Sequence, residues 1–201
     1  MSLRLSVFLI ALVALNGCAK MKPIDFKNSK PSFILENYFT GKTKAWGIFE
    51  DRFGNIRRQF SVDITGTWDG RELVLDEQFV YNDGERDQRV WTIEKIDAHT
   101  YLGRAKDIIG VAQGKAYGNA LNWQYDMDLK VGASTIQVHF NDWMFLQSSE
   151  VLLNRAKVSK FGIELGTVTL AFTKANKIGV VSDAVINDVP PDALIFQEAS
   201  R

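Results

Sequence analysis

Six charged residues fall on strand faces that are otherwise apolar when the sequence is read with a period of two. Side chains alternate between the two faces of a strand, so a charged residue in phase with apolar ones points towards the core. Arg58 is in phase with Val62, and Glu77 is in phase with Leu75. The set comprises three arginines and three carboxylic acids, namely Arg58, Arg89, Arg155, Glu77, Asp107 and Asp142.

Three kinds of chemistry are open to these residues, because an unpaired charge in an apolar interior is very costly. In the first interpretation they pair with one another as a structural ionic network, with Arg58 and Glu77 as cross-strand neighbours. In the second, one of the arginines binds the carboxylate or phosphate of a ligand. In the third, a carboxylic acid such as Glu77 or Asp107 transfers a proton. The matching numbers of the two signs favour the network, and all three interpretations stay open.

Aromatic side chains accompany these charges and suit the wall of a cavity as well as a packed core. The chain is 11% aromatic and has five tryptophans. Trp91 shares its predicted strand face with Arg89, and Tyr125 is a second aromatic candidate for contact with an acyl chain or a flat ligand. The candidate ligand-binding residues are Arg58, Arg89, Arg155, Trp91 and Tyr125. The candidate ionic network is Glu77, Asp107 and Asp142.

Short strands separated by turn signals must position these residues. Phe53-Gly54-Asn55, Asp69-Gly70 and Asn82-Asp83-Gly84 have the composition of hairpin turns. No helical period long enough to connect parallel strands lies between them, so the pattern predicts an antiparallel sandwich or barrel. The predicted strands are 45–53, 57–68, 72–82, 87–96, 100–107, 110–118, 120–130, 134–144, 150–158 and 165–174.

Charge and motif content argue against several classes of function. The chain has 24 basic and 24 acidic residues, so no basic excess suggests a nucleic-acid partner. The sequence contains no metal-ligand spacing and neither a G-x-S-x-G nor an H-E-x-x-H motif. We therefore predict a monomer that has no cofactor, no metal, no catalytic motif and no nucleic-acid partner.

The N-terminus has the pattern of a lipoprotein signal peptide. Arg4 precedes an apolar run over residues 5–15, and a small residue then precedes Cys18, the single cysteine of the chain. The run is shorter than the roughly 20 residues that a transmembrane helix needs. We expect cleavage before Cys18 and its acylation, with a membrane as the partner of the acyl chains. Because Ala19 follows instead of aspartate, we expect the periplasmic face of the outer membrane.

The predicted organisation has four parts. A signal peptide covers residues 1–17, and a polar tether with two prolines covers residues 18–32. The β domain covers residues 33–174, which is long enough for a single core. Residues 175–201 form a C-terminal extension to which no function is assigned.

Several segments resemble the family called domain of unknown function 3833, a family of proteobacterial envelope lipoproteins. The likeness covers about residues 33–174, and the extension falls outside it. The resemblance implies a lipocalin-like (calycin) barrel and an envelope address, and it carries over no catalytic residue. The segments that carry it are Phe49–Gly54, Asp76–Glu85, Arg89–Trp91, Gly118–Ala120 and Asn141–Met144.

The leading hypothesis is an outer-membrane lipoprotein whose barrel binds a small hydrophobic ligand, a fatty acid or another lipid, held by an arginine at the base of the cavity. One alternative is a barrel enzyme that acts on a lipid by proton transfer at a carboxylate. Another is an interaction or scaffolding lipoprotein that holds an envelope partner with its outer sheet and residues 175–201.

Overall fold

Ten antiparallel strands close into a barrel in the computed structural model, which describes residues 20–132 and 134–174. Each strand pairs with the next along the chain, and β1 pairs with β10 to close the sheet. The strands are β1 Gly41–Asp51, β2 Ile56–Trp68, β3 Glu72–Tyr81, β4 Arg86–Lys95, β5 Thr100–Arg104, β6 Ile108–Tyr117, β7 Ala120–Val131, β8 Ser134–Leu146, β9 Val151–Lys160 and β10 Ile163–Lys174. Closure removes the two free edges of an open sheet, although the short β5 pairs only with Thr92–Lys95 of β4 and leaves the first half of β4 without a partner among the described residues on that side.

This architecture confirms the predicted all-β antiparallel barrel, and the turns show why the sequence adopts it. Gly54 and Gly84 lie in the turns after β1 and β3, where φ is +82° and +87°. Glycine adopts this left-handed conformation without a steric penalty. Between the turns, apolar side chains such as Val62 and Ile64 on β2 alternate with exposed polar ones and point into the barrel.

One end of the barrel is closed by the segment that leads into β1. A short helix, α1 (Leu35–Phe39), lies at this end, and its terminal residues Leu35 and Phe39 are both buried. The Tyr38 hydroxyl donates to the carbonyl oxygen of Glu150 at 2.9 Å, which joins α1 to the turn between β8 and β9. The Nζ of Lys174, at the end of β10, donates to the Thr40 carbonyl oxygen at 2.9 Å.

Glu36 on α1 is buried and has two partners. Its carboxylate accepts a hydrogen bond from the Tyr101 hydroxyl at 3.0 Å and forms an ion pair with Lys95. These partners offset the cost of burying the charge. They also fasten α1 to the hairpin of β4 and β5 at the closed end.

The segment before α1 packs on the outside of the barrel at the same end. A 3-10 helix, Pro23–Phe26, brings the Phe26 ring to 5.9 Å from that of Trp143 and 5.4 Å from that of Phe145. The Phe33 N–H donates to the Gly118 carbonyl oxygen at 2.7 Å. The tether predicted over residues 18–32 is thus packed from Pro23 onwards, because Phe26 has aromatic partners there. The boundaries of the four predicted parts stay predictions.

Two predicted features lie outside the described residues. They are the signal peptide over residues 1–17 with the Cys18 that follows it, and the extension over residues 175–201. Within residues 20–132 and 134–174, no helix is both long enough and apolar enough to span a bilayer.

We call the end of the barrel opposite α1 the mouth. The turns that join β1 to β2, β3 to β4, β5 to β6, β7 to β8, and β9 to β10 surround it. Because consecutive strands run in opposite directions, the other connections lie at the closed end with α1. The barrel therefore has one end covered by α1 and one end formed by hairpin turns.

Candidate functional site

A cavity of about 570 Å³ runs inside the barrel from α1 to the mouth. Pockets for small molecules in proteins are roughly 300–1,000 Å³, so this volume is typical of a ligand site. Leu35 and Phe39 line its closed end, and Arg58 and Glu85 line it at the mouth. Most of the wall between them is apolar and includes Val62, Leu75, Trp91, Trp123, Phe140 and Phe172.

Polar side chains from five strands also line the cavity, and we call them the polar layer. They come from β3, β4, β7, β8 and β9, and each points inward because it is in phase with buried apolar neighbours on its strand. The polar layer consists of Glu77, Arg89, Tyr125, Asp142 and Asn154.

Arg89 is held by a bidentate ion pair with Asp107. Its Nε donates to Asp107 Oδ1 at 3.2 Å, and its Nη2 donates to Asp107 Oδ2 at 2.7 Å. Asp107 is not on a strand, since β5 ends at Arg104 and not at residue 107 as predicted. The carboxylate reaches Arg89 from the turn between β5 and β6. The structure therefore brings these two predicted residues together, although their pairing was not itself predicted.

Glu77 lies directly opposite Arg89 in the register of β3 and β4. Burial raises the pKa of Glu77 to about 7, because the ionised form is poorly solvated inside the barrel. The positive charge of Arg89 lowers this pKa, and the negative charge of Asp107 raises it. A carboxyl with a pKa near 7 can both donate and accept a proton at neutral pH.

Asp142 is the most enclosed carboxyl of the polar layer, with 5% of its surface exposed. The Asn154 side-chain amide donates to Asp142 Oδ2 at 3.4 Å. Burial raises the pKa of Asp142 to about 7, and this outweighs the favourable effects of the Asn154 hydrogen bond, the charge of Arg89 and the Tyr125 hydroxyl. Asp142 Oδ1 and Asn154 Oδ1 are both buried, and neither has a hydrogen-bond partner within the described residues.

Aromatic rings form one wall of the cavity beside the polar layer. Tyr125 stacks on Phe140 with ring centroids 5.0 Å apart and an interplanar angle of 5°. Trp91 contacts Tyr125 edge to face at 5.5 Å and Trp123 at 5.8 Å. Space for the Trp123 ring comes from Gly114, where a Cβ would lie 2.4 Å from that ring. The structure thus places both aromatic candidates, Trp91 and Tyr125, on the wall of the cavity.

Arg58 lies at the mouth and is paired with acidic residues of the turn between β3 and β4. Its Nη2 lies 3.4 Å from Asp83 Oδ2, and it also forms an ion pair with Glu85. The guanidinium group stacks 3.5 Å above the centre of the Tyr81 ring. The expected pairing of Arg58 with Glu77 is wrong, because the register of β2 and β3 places Ile64 opposite Glu77.

The predicted inward direction of Arg155 is also wrong. Arg155 is exposed on the outer face of β9, together with Val151 and Leu153. The inward face of this strand begins with Leu152 and includes Asn154. Both faces of β9 carry apolar residues, so the period-two pattern had no unique phase there. The opposite phase of the same strand would have identified Asn154.

Comparison with known proteins gives a family and a fold. A family model described as "Protein of unknown function (DUF3833)" matches residues 12–174. Among solved structures, the S-type phycobiliprotein lyase CPES from Guillardia theta is similar, with a TM-score of 0.51 and 7% sequence identity. The similarity covers 69% of this chain and 89% of the lyase chain, which supports the lipocalin-like barrel as a shared fold. No curated protein matches the sequence significantly.

Proposed function

We propose that this chain, which belongs to the DUF3833 family, is a membrane-anchored barrel that binds a small hydrophobic ligand of the lipid class. The single observation that carries the proposal is the cavity of about 570 Å³ with a mainly apolar wall. Well-packed interiors have few voids larger than a water molecule, so a cavity of this size favours an occupant. The expected occupant is a fatty acid or another lipid, because long apolar walls match hydrocarbon.

Filling the cavity should abolish ligand binding. Ala156 on β9 is buried and lines the cavity, so Ala156→Phe places a ring where the ligand would lie. We expect native mass spectrometry of the protein purified from its own host to detect a bound lipid in the wild type and none in this variant.

The matched control is Ala171→Phe, because Ala171 is exposed on the outer face of β10. This variant should retain the bound lipid. A wild-type protein that carries no lipid and that takes up no added lipid would contradict the proposed function. Equal loss of lipid in both variants would show that the phenylalanine acts through stability and not through the cavity.

The proposed address is the periplasmic face of the outer membrane, with acyl chains on Cys18 as the anchor. The described chain starts beside the closed end, where Pro23–Phe26 packs against the barrel. An anchor at Cys18 would therefore hold the closed end towards the bilayer and leave the mouth facing away from it. The spacer between the anchor and Lys22, whose backbone N–H donates to Asp25, would be residues 19–21, and a residue spans roughly 3.3 Å when extended.

Replacing Cys18 tests this address. We expect Cys18→Ser to remove the protein from the outer-membrane fraction, because both the acyl chains and the expected cleavage before residue 18 depend on the cysteine. Fractionation of the host envelope, followed by immunodetection, measures the change. Retention of the serine variant in the outer membrane would contradict the acyl anchor while leaving ligand binding untouched.

A further inference from the structure

The arginine nearest the centre of the cavity has carboxylate partners already. Arg89 makes hydrogen bonds with Asp107 through two of its nitrogens, and Glu77 lies opposite it on β3. Its donors and charge are thus directed to groups of the protein. A ligand carboxylate would have to compete with the bidentate pair, which is the strong geometry for a guanidinium group.

The polar layer has more acidic groups than basic ones. Of its five residues, Arg89 is the cation, while Glu77 and Asp142 are carboxyls. Asp107 adds a third carboxylate against the same guanidinium group. The cations nearer the mouth lie outside this level of the cavity: Arg58 is paired with Asp83 and Glu85, Arg57 is paired with Asp51, and Lys130 lies near the mouth end of β7. An anionic head group would therefore meet net repulsion at this level of the cavity.

Two hydrogen-bond acceptors in the polar layer lack donors from the described part of the chain, although Asp142 Oδ2 accepts from the Asn154 amide. Asp142 Oδ1 and Asn154 Oδ1 have no partner within the described residues, although these two side chains are only 5% and 4% exposed. Both residues line the cavity. Buried acceptors in folded proteins are nearly always paired, so two adjacent ones on a cavity wall point to a donor supplied from inside the cavity. The stacked pair of Tyr125 and Phe140 lies next to them, in the register of β7 and β8.

We propose that the cavity selects a hydrocarbon ligand whose head group donates hydrogen bonds, an alcohol or a primary amine, and discriminates against a carboxylate. This inference rests on the proposed function and narrows its ligand class: it disfavours fatty acids, which are carboxylates, and keeps lipids whose head group donates hydrogen bonds. Asp142 Oδ1 and Asn154 Oδ1 accept hydrogen bonds from the head group. The hydrocarbon lies against the aromatic wall formed by Trp91, Trp123 and Phe140.

A series of ligands with one alkyl chain tests the selection. Dodecanol, dodecylamine and dodecanoate differ in the head group alone, and isothermal titration calorimetry at pH 8 measures the Kd of each for the purified protein. We expect the alcohol and the amine to bind at least about tenfold more tightly than the carboxylate, because leaving buried acceptors unpaired is costly. A carboxylate that binds as tightly as the alcohol and the amine would overturn the inference.

The Asp142→Asn variant tests whether Asp142 causes the discrimination against a carboxylate head group. The amide keeps the shape of the side chain, loses its charge and gains a donor, so we expect the preference against dodecanoate to fall by about tenfold. Asp128→Asn is the control, since Asp128 is exposed on the outer face of β7, and it should leave the preference unchanged. An unchanged preference in Asp142→Asn would also overturn the inference. Failure of all three ligands to bind the wild type would count against the proposed function itself.

Discussion

At pH 8, Asp142→Asn stabilises the barrel by as much as about 4 kcal/mol, and this gain shrinks towards zero as the pH falls to about 4. The substitution removes a carboxyl that must be ionised in a nearly enclosed site, where 5% of its surface is exposed. The asparagine side chain has the same shape and carries no charge. It therefore avoids the desolvation cost without leaving a void.

The raised pKa of Asp142 explains why the substitution stabilises the protein at high pH. Burial raises this pKa from 3.8 to about 7 in the folded protein. Between these two values the folded state holds a proton that the unfolded state has released, so the free energy of unfolding falls as the pH rises. This loss of stability in the wild type is complete above about pH 7 and absent below about pH 4. The side-chain amide of the Asp142→Asn variant does not titrate, so the variant lacks this contribution over the whole range.

Urea unfolding followed by tryptophan fluorescence at a series of pH values measures the difference. Asp128→Asn is the control, because Asp128 is exposed on the outer face of the barrel and should change the free energy of unfolding by no more than about 0.5 kcal/mol. A wild-type protein and an Asp142→Asn variant with parallel stability profiles would contradict the prediction. That result would mean that Asp142 is as well solvated in the folded protein as in the unfolded chain.

The barrel could be predicted from the sequence because strand alternation and turn composition agree along most of the chain. Predicted strand 72–82 corresponds to β3 Glu72–Tyr81, and predicted strand 87–96 corresponds to β4 Arg86–Lys95. The outer faces of both strands are mostly polar, with valines such as Val74 and Val90 as exceptions, and the phase of the inward residues Glu77 and Arg89 was also correct. A strong period-two signal fixes which side chains enter the barrel.

The partners of the charged residues could not be predicted, because pairing depends on register and on turns. Asp107 was predicted to be the last residue of a strand, whereas it reaches Arg89 from the turn after β5. In the register of β2 and β3, Ile64 lies opposite Glu77, so Arg58 lies several residues closer to the mouth. There it pairs with Glu85 of the β3–β4 turn. A sequence gives the phase of each strand separately, and it gives the offset between two strands much less well.

Closure of one end by α1 was another feature beyond the reach of strand patterns. Five residues, Leu35–Phe39, are too few for a helical period to be distinguished from an entry strand. Their effect on function is large, since α1 makes the cavity blind at one end. The polar layer then lies between an apolar base at Leu35 and Phe39 and a charged mouth at Arg58. A ligand that enters through the mouth must pass the polar layer before its chain reaches that base.

Arg89→Met should destabilise the protein by about 3 kcal/mol at pH 8, because it removes one partner from a mostly buried group of charges. Arg89 is the cation that lowers the pKa of Glu77, so in the variant this pKa rises further above 7. The ionised form of Glu77 then costs more in the folded state at pH 8. At pH 5 Glu77 is protonated in the folded protein, and the variant loses mainly the ion pair with Asp107.

A double-mutant cycle with Glu77→Gln separates the charge effect from lost packing. In the Glu77→Gln background, Arg89→Met should lower the free energy of unfolding at pH 8 by about 2 kcal/mol less than it does in the wild type. The reason is that residue 77 no longer carries a carboxylate that would lose its positive partner. Arg155→Met is the matched control, since Arg155 is exposed on the outer face of β9, and it should change stability by about 0.5 kcal/mol or less. Equal losses in Arg89→Met and Arg155→Met would contradict a role for Arg89 in holding the charge of the polar layer. A loss that is the same at pH 5 and pH 8 would assign Arg89 to packing against its neighbour Phe79.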